Sequence, residues 1–290
     1  MHSLKYEAPS ALGDAIALLA QASGTSRILA GGTDVIVQIE TDLIEPELVV
    51  DIKKIPDLRG IAVENGAFRV GAAVTGMELM DHQAFCKAWP GVVDGVKLIG
   101  SMQIKGRATM GGNLCNASPA ADSVPALIAA GAVVRIAGPN GARDVAVEHI
   151  PAGPGRTSLA KGEIIVSFAF PPRPPRTGDA YLRMTPRTEM DIAVVGVGVN
   201  IALDADGVCT AARVALGAVA PTALLVEEAG AALIGSRLDA PALYRLAQAA
   251  AAACRPIDDK RGTREYRVKV AGVLARRAAL LALERARQNI

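Results

Sequence analysis

The segment that decides how this chain is interpreted is Ile104–Ser123, with the sequence IKGRATMGGNLCNASPAADS. It is rich in Gly, Ser, Asn and Pro, so we predict a loop over residues 100–123 rather than regular structure. Loops of this length inside compact domains are usually functional or disordered. Because this segment carries few charges and is flanked by apolar residues, we expect it to be ordered and functional.

A second glycine-rich turn, Gly31-Gly32-Thr33-Asp34, follows a predicted strand at Arg27–Ala30. Thr109-Met110-Gly111-Gly112-Asn113 offers the same chemistry, namely a hydroxyl, two glycines and an amide side chain. Glycine has no Cβ, so backbone N–H groups can approach an anion closely. Two such turns could hold a pyrophosphate from both sides, with Asp122 accepting hydrogen bonds from ribose hydroxyls. The alternative is that both are ordinary tight turns, and the absence of GxGxxG does not support a Rossmann nucleotide site.

The composition limits the function classes. A chain of 290 residues has room for about two domains, and 51% hydrophobic with 21% charged residues is typical of globular proteins. A net charge of +2 and 3% aromatic residues argue against nucleic-acid binding. The four cysteines are far apart and form no CxxC motif, which argues against a local zinc or iron–sulfur site and favours reduced thiols in a cytoplasmic protein. They are Cys86, Cys115, Cys209 and Cys254.

A proline run, Pro171-Pro172-Arg173-Pro174-Pro175, indicates a semi-rigid linker between two domains, which we place at 1–172 and 178–290. After it, Ala193–Leu203 and Val208–Leu216 have the pattern of strands, and three segments with helical periodicity follow. Strands followed by helices predict an α+β C-terminal domain with helices on one face of an antiparallel sheet.

Catalytic motifs are absent from the sequence. It contains no GxSxG, HExxH or P-loop lysine, and its three histidines are isolated. We therefore expect no catalytic and no metal-ligating residue on this chain, and any reaction would be the chemistry of a cofactor. The longest uncharged runs are too short to span a bilayer and the N-terminus does not read as a signal peptide, so we expect a soluble, cytoplasmic protein.

Two motifs carry a family resemblance. ILAGGTDVIV at Ile28–Val37 and the segment Ile104–Ser123 resemble the two flavin-binding signatures of the FAD-binding (medium) subunit of molybdenum hydroxylases, the family of the xanthine dehydrogenase and carbon monoxide dehydrogenase flavoproteins. The resemblance extends over nearly the whole chain. It implies a two-part FAD-binding domain of the PCMH type over 1–172, followed by a C-terminal flavoprotein domain over 178–290.

The resemblance also implies which residues hold FAD. The first signature would surround the pyrophosphate with backbone amides and a threonine hydroxyl, and the second would contact the phosphates and the flavin. Arg183 matches a position that is usually a lysine, where a fixed cation would stabilise reduced, anionic flavin. The implied set is Leu29, Ala30, Gly31, Gly32, Thr33, Asp34, Val35, Thr109, Gly111, Gly112, Asn113, Ser118 nearby, Asp122 on the ribose, Ile165 beside the flavin, and Arg183.

The mechanism and the partners follow from the same resemblance. A large subunit with a molybdenum–pterin centre would oxidise the substrate, and a small subunit would pass electrons through two [2Fe-2S] clusters. FAD on this chain would collect the electron pair and give it to an external acceptor. The expected assembly is a dimer of heterotrimers, with no nucleic acid and no membrane insertion.

Two other functions stay open. The first is a stand-alone FAD-dependent oxidoreductase, similar to vanillyl-alcohol oxidase or enolpyruvylglucosamine reductase, which would need acid or base groups over the flavin that the sequence does not show. The second is an interaction module without flavin. The intact glycines, Thr33, Thr109 and Asp122 argue against that module.

Overall fold

The protein begins with a small parallel sheet, as seen in a computed structural model that describes residues 4–188 and 190–289. Strands β1 (Lys5–Glu7), β2 (Ser26–Leu29) and β3 (Leu48–Asp51) pair in the order β1-β3-β2. Helix α1 (Leu12–Gln21) connects the first two strands, and α2 (Val35–Glu40) follows the first glycine-rich turn. The turn therefore lies at the carboxyl end of β2, a frequent ligand position in parallel sheets.

The second sheet is antiparallel and has five strands in the order β4-β5-β10-β6-β7. Its central strand, β10, closes the N-terminal part after a long excursion of the chain, and it pairs with β5 on one side and β6 on the other. A separate short hairpin is formed by β8 and β9. The strand bounds are β4 Ile61–Glu64, β5 Ala67–Gly71, β6 Val133–Gly138, β7 Gly141–Ala146, β8 Pro151–Gly153, β9 Arg156–Thr157 and β10 Ile164–Phe170.

Six short helices lie between β5 and β6, and two of them occupy the segment 100–123, so the prediction of a continuous loop there is wrong. Ser101 Oγ accepts a hydrogen bond from the N–H of Ile104, and Thr109 Oγ1 accepts one from the N–H of Gly112. These N-cap hydrogen bonds satisfy backbone N–H groups in the first turn of each helix and so help to stabilise helices in a segment whose Gly and Asn residues have low helix propensity. The helices are α3 Gly76–Asp81, α4 Gln83–Ala88, α5 Pro90–Lys97, α6 Met102–Lys105, α7 Met110–Cys115 and α8 Ser123–Ala129.

The C-terminal part is the predicted α+β arrangement. Its antiparallel sheet has the order β11-β12-β13-β14, and the first strand, β11, was not predicted because a buried aspartate, Asp179, interrupts the apolar pattern. Arg173 pairs with that carboxylate at 2.8 Å. The elements are β11 Thr177–Met184, β12 Val195–Leu203, β13 Cys209–Gly217, β14 Leu224–Leu225, α9 Glu227–Ala231, α10 Ala240–Ala253 and α11 Arg264–Gln288.

The two parts share the C-terminal sheet. Helix α11 covers one face of β11 and β12. Two helices of the N-terminal part also pack against this sheet: α5 contacts mainly β11, and α8 contacts β12 and β13. A Cβ at Gly198 of β12 would contact the carbonyl oxygen of Pro125 in α8, so the glycine allows that helix to touch the strand. This packing brings side chains of β11 to the beginning of α8, next to the second glycine-rich segment.

Three apolar clusters form the core, one under the small parallel sheet, one around the five-stranded sheet and one in the C-terminal part. In the second cluster the rings of Phe85 and Phe170 meet edge to face at 5.1 Å, and Trp89 lies beside Phe170. Among the helices of the described residues, none combines the length and the apolar character that crossing a bilayer requires.

Candidate functional site

Both glycine-rich turns line one cleft of about 620 Å³. The first turn contributes the connection from β2 to α2, and the second contributes the beginning of α7. Ile164 and Ile165 of β10 add an apolar wall. The sequence predicts that the two turns act on the same ligand. Turns on opposite sides of the molecule could not do so, and the shared cleft meets this requirement.

The cleft presents backbone donors that the protein does not use. Across residues 4–188 and 190–289, the N–H groups of 31–35 have no hydrogen-bond acceptor, and neither has that of Gly111. The next N–H, that of Gly112, is taken by Thr109 Oγ1 at 2.9 Å. A buried N–H group without a partner lowers the stability of the fold. Consecutive unpaired N–H groups that face a cleft can instead form a binding site for an anion.

Two glycines act differently from the expectation. A Cβ at Gly31 would contact the carbonyl oxygen of Arg107, and one at Gly111 would lie 2.6 Å from the carbonyl oxygen of Ala72. The missing side chains therefore make room for neighbouring backbone and not for a ligand, and that part of the expectation is wrong. At Gly31 the close approach joins the first turn to the segment that leads into the second.

Some polar side chains of the two turns hydrogen-bond within the protein and others do not. Within the described part of the chain, the side chains of Thr33 and Asp34 make no hydrogen bond, and desolvation raises the pKa of Asp34. Asn113 uses its Oδ1 to accept from the N–H of Ser123 at 3.2 Å and from its Oγ at 2.7 Å. The amide of Asn113 consequently ties the cleft wall to the beginning of α8.

Asp122 and Arg183 lie outside the cleft lining and bind each other. Arg183 Nη1 donates to Asp122 Oδ2 at 2.6 Å, and Tyr181 Oη donates to Asp122 Oδ1 at 3.0 Å. Burial raises the pKa of Asp122 to about 6 against the opposing effect of the Arg183 charge, and burial together with Asp122 raises the pKa of Tyr181 well above its usual value. The predicted contact of Asp122 with a ribose stays a prediction.

The remaining predicted residues are placed as follows. Leu29 and Ser118 also lie outside the lining; Leu29 is the buried end of β2, and Ser118 Oγ accepts from the N–H of Ala120 at 3.3 Å. The other predicted positions line the cleft: Ala30, Gly31, Gly32, Thr33, Asp34, Val35, Thr109, Gly111, Gly112, Asn113 and Ile165.

Several lining residues were not predicted from the sequence. Gln38 donates to Asn116 Oδ1 at 3.0 Å and so joins α2 to the residue after the end of α7. Its place one turn after Asp34 on a helix is the signal that could have identified it. Other unpredicted lining residues come from segments with no local motif, among them Arg27, Ile99, Leu159 and Lys161. Cys115 lies within the second signature, and desolvation raises the pKa of its thiol to about 12.

The residues present fit FAD. The cleft volume lies within the range of small-molecule and cofactor sites. Unpaired N–H groups suit a diphosphate, and Ile99 with Ile165 offers apolar surface for a ring system. In the part of the chain that the structure describes, no three His, Cys, Asp or Glu side chains come together in a way that could hold a metal ion.

Comparisons with known proteins agree with this reading of the cleft. The family described as "FAD binding domain in molybdopterin dehydrogenase" matches residues 2–173, and "CO dehydrogenase flavoprotein C-terminal domain" matches residues 180–282. The carbon monoxide dehydrogenase medium chain of Afipia carboxidovorans is 36% identical over 285 residues, 98% of each chain. The xanthine dehydrogenase FAD-binding subunit of Escherichia coli O157:H7 is 32% identical over 265 residues, 91% of this chain and 90% of that one.

Solved structures show the same similarity over the full fold. A chain of the reconstituted CO dehydrogenase from Oligotropha carboxidovorans superposes with a TM-score of 0.93 at 36% identity and covers 98% of both chains. A chain of quinoline 2-oxidoreductase from Pseudomonas putida 86 gives a TM-score of 0.89 at 28% identity, again over 98% of both chains.

Proposed function

The chain belongs to the family of FAD-binding (medium) subunits of the molybdenum hydroxylases, and on that premise we propose that it transfers electrons through FAD between partner subunits and an external acceptor. Its relatives are FAD subunits of oxidoreductase complexes in which another subunit oxidises the substrate. The observation that carries the proposal is the pair of glycine-rich turns in one cleft with unused backbone donors.

The chain's own residues would bind and orient the cofactor. The N–H groups of 31–35 and of Gly111 donate to the diphosphate, and the Thr33 hydroxyl adds a donor. Asp34, with its raised pKa, is protonated more easily than an ordinary aspartate, which lowers the repulsion between this side chain and an anionic ligand. Ile165 excludes water from one side of the ring. When bound, FAD supplies the redox chemistry itself.

Four residues outside the lining have supporting places in the proposal. Leu29 and Ser118 hold the backbone of the two signatures. Arg183 provides the fixed cation near the flavin, and Asp122 acts on Arg183 more directly than on the ribose, because its carboxylate is already engaged there.

The partners and the route are proposed from the relatives. Electrons would arrive singly from the [2Fe-2S] clusters of a small subunit, after substrate oxidation at the molybdenum–pterin centre of a large subunit. We propose a dimer of such heterotrimers in the cytoplasm, a compartment that suits the four free cysteines. The division into domains at 172 and 178 is part of the same proposal.

The test compares two valine substitutions of threonines near α2. Thr33→Val removes a cleft hydroxyl without a protein partner, and Thr41→Val removes a hydroxyl that donates to the carbonyl of Val37 outside the cleft lining. The purified chain should bind one FAD, and Thr33→Val should weaken FAD binding by about fivefold, the equivalent of one hydrogen bond of about 1 kcal/mol. Thr41→Val should bind FAD normally.

Other outcomes select the alternatives. A chain that stays colourless after incubation with FAD supports the interaction module. Turnover of a small substrate by the purified chain without partner subunits supports the stand-alone enzyme. Co-purification with a pterin-containing large subunit and a cysteine-rich small subunit supports the proposal.

A further inference from the structure

A buried polar cluster lies where the C-terminal sheet meets α8. Asp122 is at its centre and contacts Tyr181 and Arg183, which are two residues apart on β11 and so point to the same face of the strand. The side chain of Arg183 is only 5% exposed and that of Asp122 only 10%. An ion pair this well enclosed needs good geometry and extra hydrogen bonds to offset its desolvation.

The position of the Tyr181 hydroxyl is built into the sheet. Tyr181 pairs with Gly198 of β12, and Arg183 pairs with Gly196. A Cβ at Gly196 would contact Tyr181 Oη, so the glycine gives the ring the space to lie across the strand and reach Asp122. Any larger residue at 196 would displace the hydroxyl.

The cluster is directly connected to the cleft. Ser123, the residue after Asp122, donates two hydrogen bonds to Asn113, and Asn113 lines the cleft. Arg183 Nη1 also donates to the carbonyl of Asp191 at 3.3 Å. Its Nε and Nη2 find no acceptor in residues 4–188 and 190–289, so one edge of the guanidinium is held and the other is available.

We infer that Tyr181 is a positioning residue of the cofactor site: its hydroxyl holds Asp122, and Asp122 holds Arg183, so the guanidinium stays in one place and stays joined to the cleft wall through Ser123 and Asn113. The inference rests on the proposed function, because its effect is on bound FAD. A cation held near the flavin stabilises the reduced, anionic form more than a mobile one does, since a mobile cation is solvated away part of the time. Tyr181 therefore contributes to the reduction potential without touching the cofactor.

The test is the midpoint potential of FAD bound to the full chain. Tyr181→Phe keeps the ring and removes the hydroxyl, and it should shift the potential to more negative values. Gly196→Ala, which displaces the same hydroxyl, should shift it in the same direction. Arg183→Gln should give a larger negative shift, and Arg183→Lys, which keeps the charge, a smaller one.

The matched control is Glu148→Gln. Glu148 accepts a hydrogen bond at 2.8 Å from Arg213 of β13, so this variant also weakens the contact between the two parts of the chain, but at the other end of α8, where Arg213 donates to the carbonyl of Ile128. It should lower thermal stability and leave the potential at the wild-type value.

Three results would be decisive against the inference or against its premise. A wild-type potential in Tyr181→Phe, accompanied by a loss of stability like that of Glu148→Gln, would show that Tyr181 is only a structural contact. A potential that also shifts in Glu148→Gln would overturn the assignment, because any loosening of the contact between the two parts would then suffice. Failure of the wild-type chain to bind FAD would instead refute the proposed function.

Discussion

Replacing Gly111 by alanine separates the packing of the second glycine-rich turn from cofactor binding. The added Cβ would lie 2.6 Å from the carbonyl oxygen of Ala72 and 3.1 Å from its Cβ. Both atoms belong to a buried residue next to β5 and have little freedom to move. Helix α7 must therefore shift by several tenths of an ångström, or the loop at Ala72 must.

The expected cost follows from two opposing effects. Overpacking of a tightly packed site costs about 1–3 kcal/mol, whereas alanine gains about 1 kcal/mol over glycine inside a helix. The two values combine to a fall of ~0–2 kcal/mol in the free energy of unfolding of Gly111→Ala, and the close approach to a backbone carbonyl favours the upper half of that range. Gly112→Ala is the matched control, because its Cβ would meet only Thr109 Oγ1 at 3.2 Å. It should be as stable as the wild type or up to ~1 kcal/mol more stable.

The assay is urea unfolding of the FAD-free protein, read as the midpoint at an unchanged m value, together with FAD titration of the folded protein. Gly111→Ala should lower the urea midpoint and bind FAD with near-normal affinity. Gly112→Ala should keep the midpoint and bind FAD more weakly, because its side chain enters the cleft. Wild-type stability with lost FAD binding in Gly111→Ala would refute the reasoning, since the missing side chain would then face the ligand.

Three further predictions concern buried charges and a thiol. The pKa of Asp122 is raised to about 6, so between about pH 4 and 6 the folded protein holds a proton that the unfolded chain has lost. The free energy of unfolding should therefore fall as pH rises through this range and then level off. In a pH series of unfolding experiments, Asp122→Asn should flatten this decline. An equally steep decline in that variant would contradict the assignment. Arg173→Met should lower the free energy of unfolding by about 3–5 kcal/mol, because it leaves the buried Asp179 carboxylate without its ion pair. Adding Asp179→Asn should recover part of this loss. A double variant no more stable than the single one would exclude the unpaired carboxylate as the cause. Cys115, whose thiol has a pKa of about 12, should react slowly with a thiol reagent near neutral pH, and more slowly still when FAD is bound. Mass spectrometry of the peptide that contains Cys115 measures both rates. Equal rates with and without FAD would place the thiol away from the cofactor.

The sequence could predict the parts of the fold that local signals specify. The hairpin of β4 and β5 turns at Asn65-Gly66, where both residues have positive φ, as this dipeptide allows. The α+β order of the C-terminal part followed from periodicity. The helices at 102–105 and 110–115 could not be recognised, because each spans about one turn and depends on a hydroxyl cap and on burial, which outweigh the propensities of its residues.

The site was predictable only as far as the two glycine-rich turns. Their shared cleft could be expected from their chemistry, but the direction of the missing side chains at Gly31 and Gly111 depends on contacts with Arg107 and Ala72. For both glycines the contacting residue is far away in the sequence. Propensity and motif reasoning cannot tell a glycine that admits a ligand from one that admits backbone.

Asp122 shows most clearly what long-range packing adds. A carboxylate after a glycine-rich signature can accept hydrogen bonds from any donor brought to it, and its actual donors, Tyr181 and Arg183, lie 59 and 61 residues away on β11. That strand reaches Asp122 because α8 is buried along its whole length and packs on both β12 and β13. Helix α8 thus belongs to the N-terminal part by sequence and to the core of both parts by contact. A cut at the proline run would expose the apolar face of α8 and remove Tyr181 and Arg183 from Asp122. The beginning of α8, which holds Asn113 of the cleft through Ser123, therefore depends on the C-terminal part even though the lining residues all come from the N-terminal part.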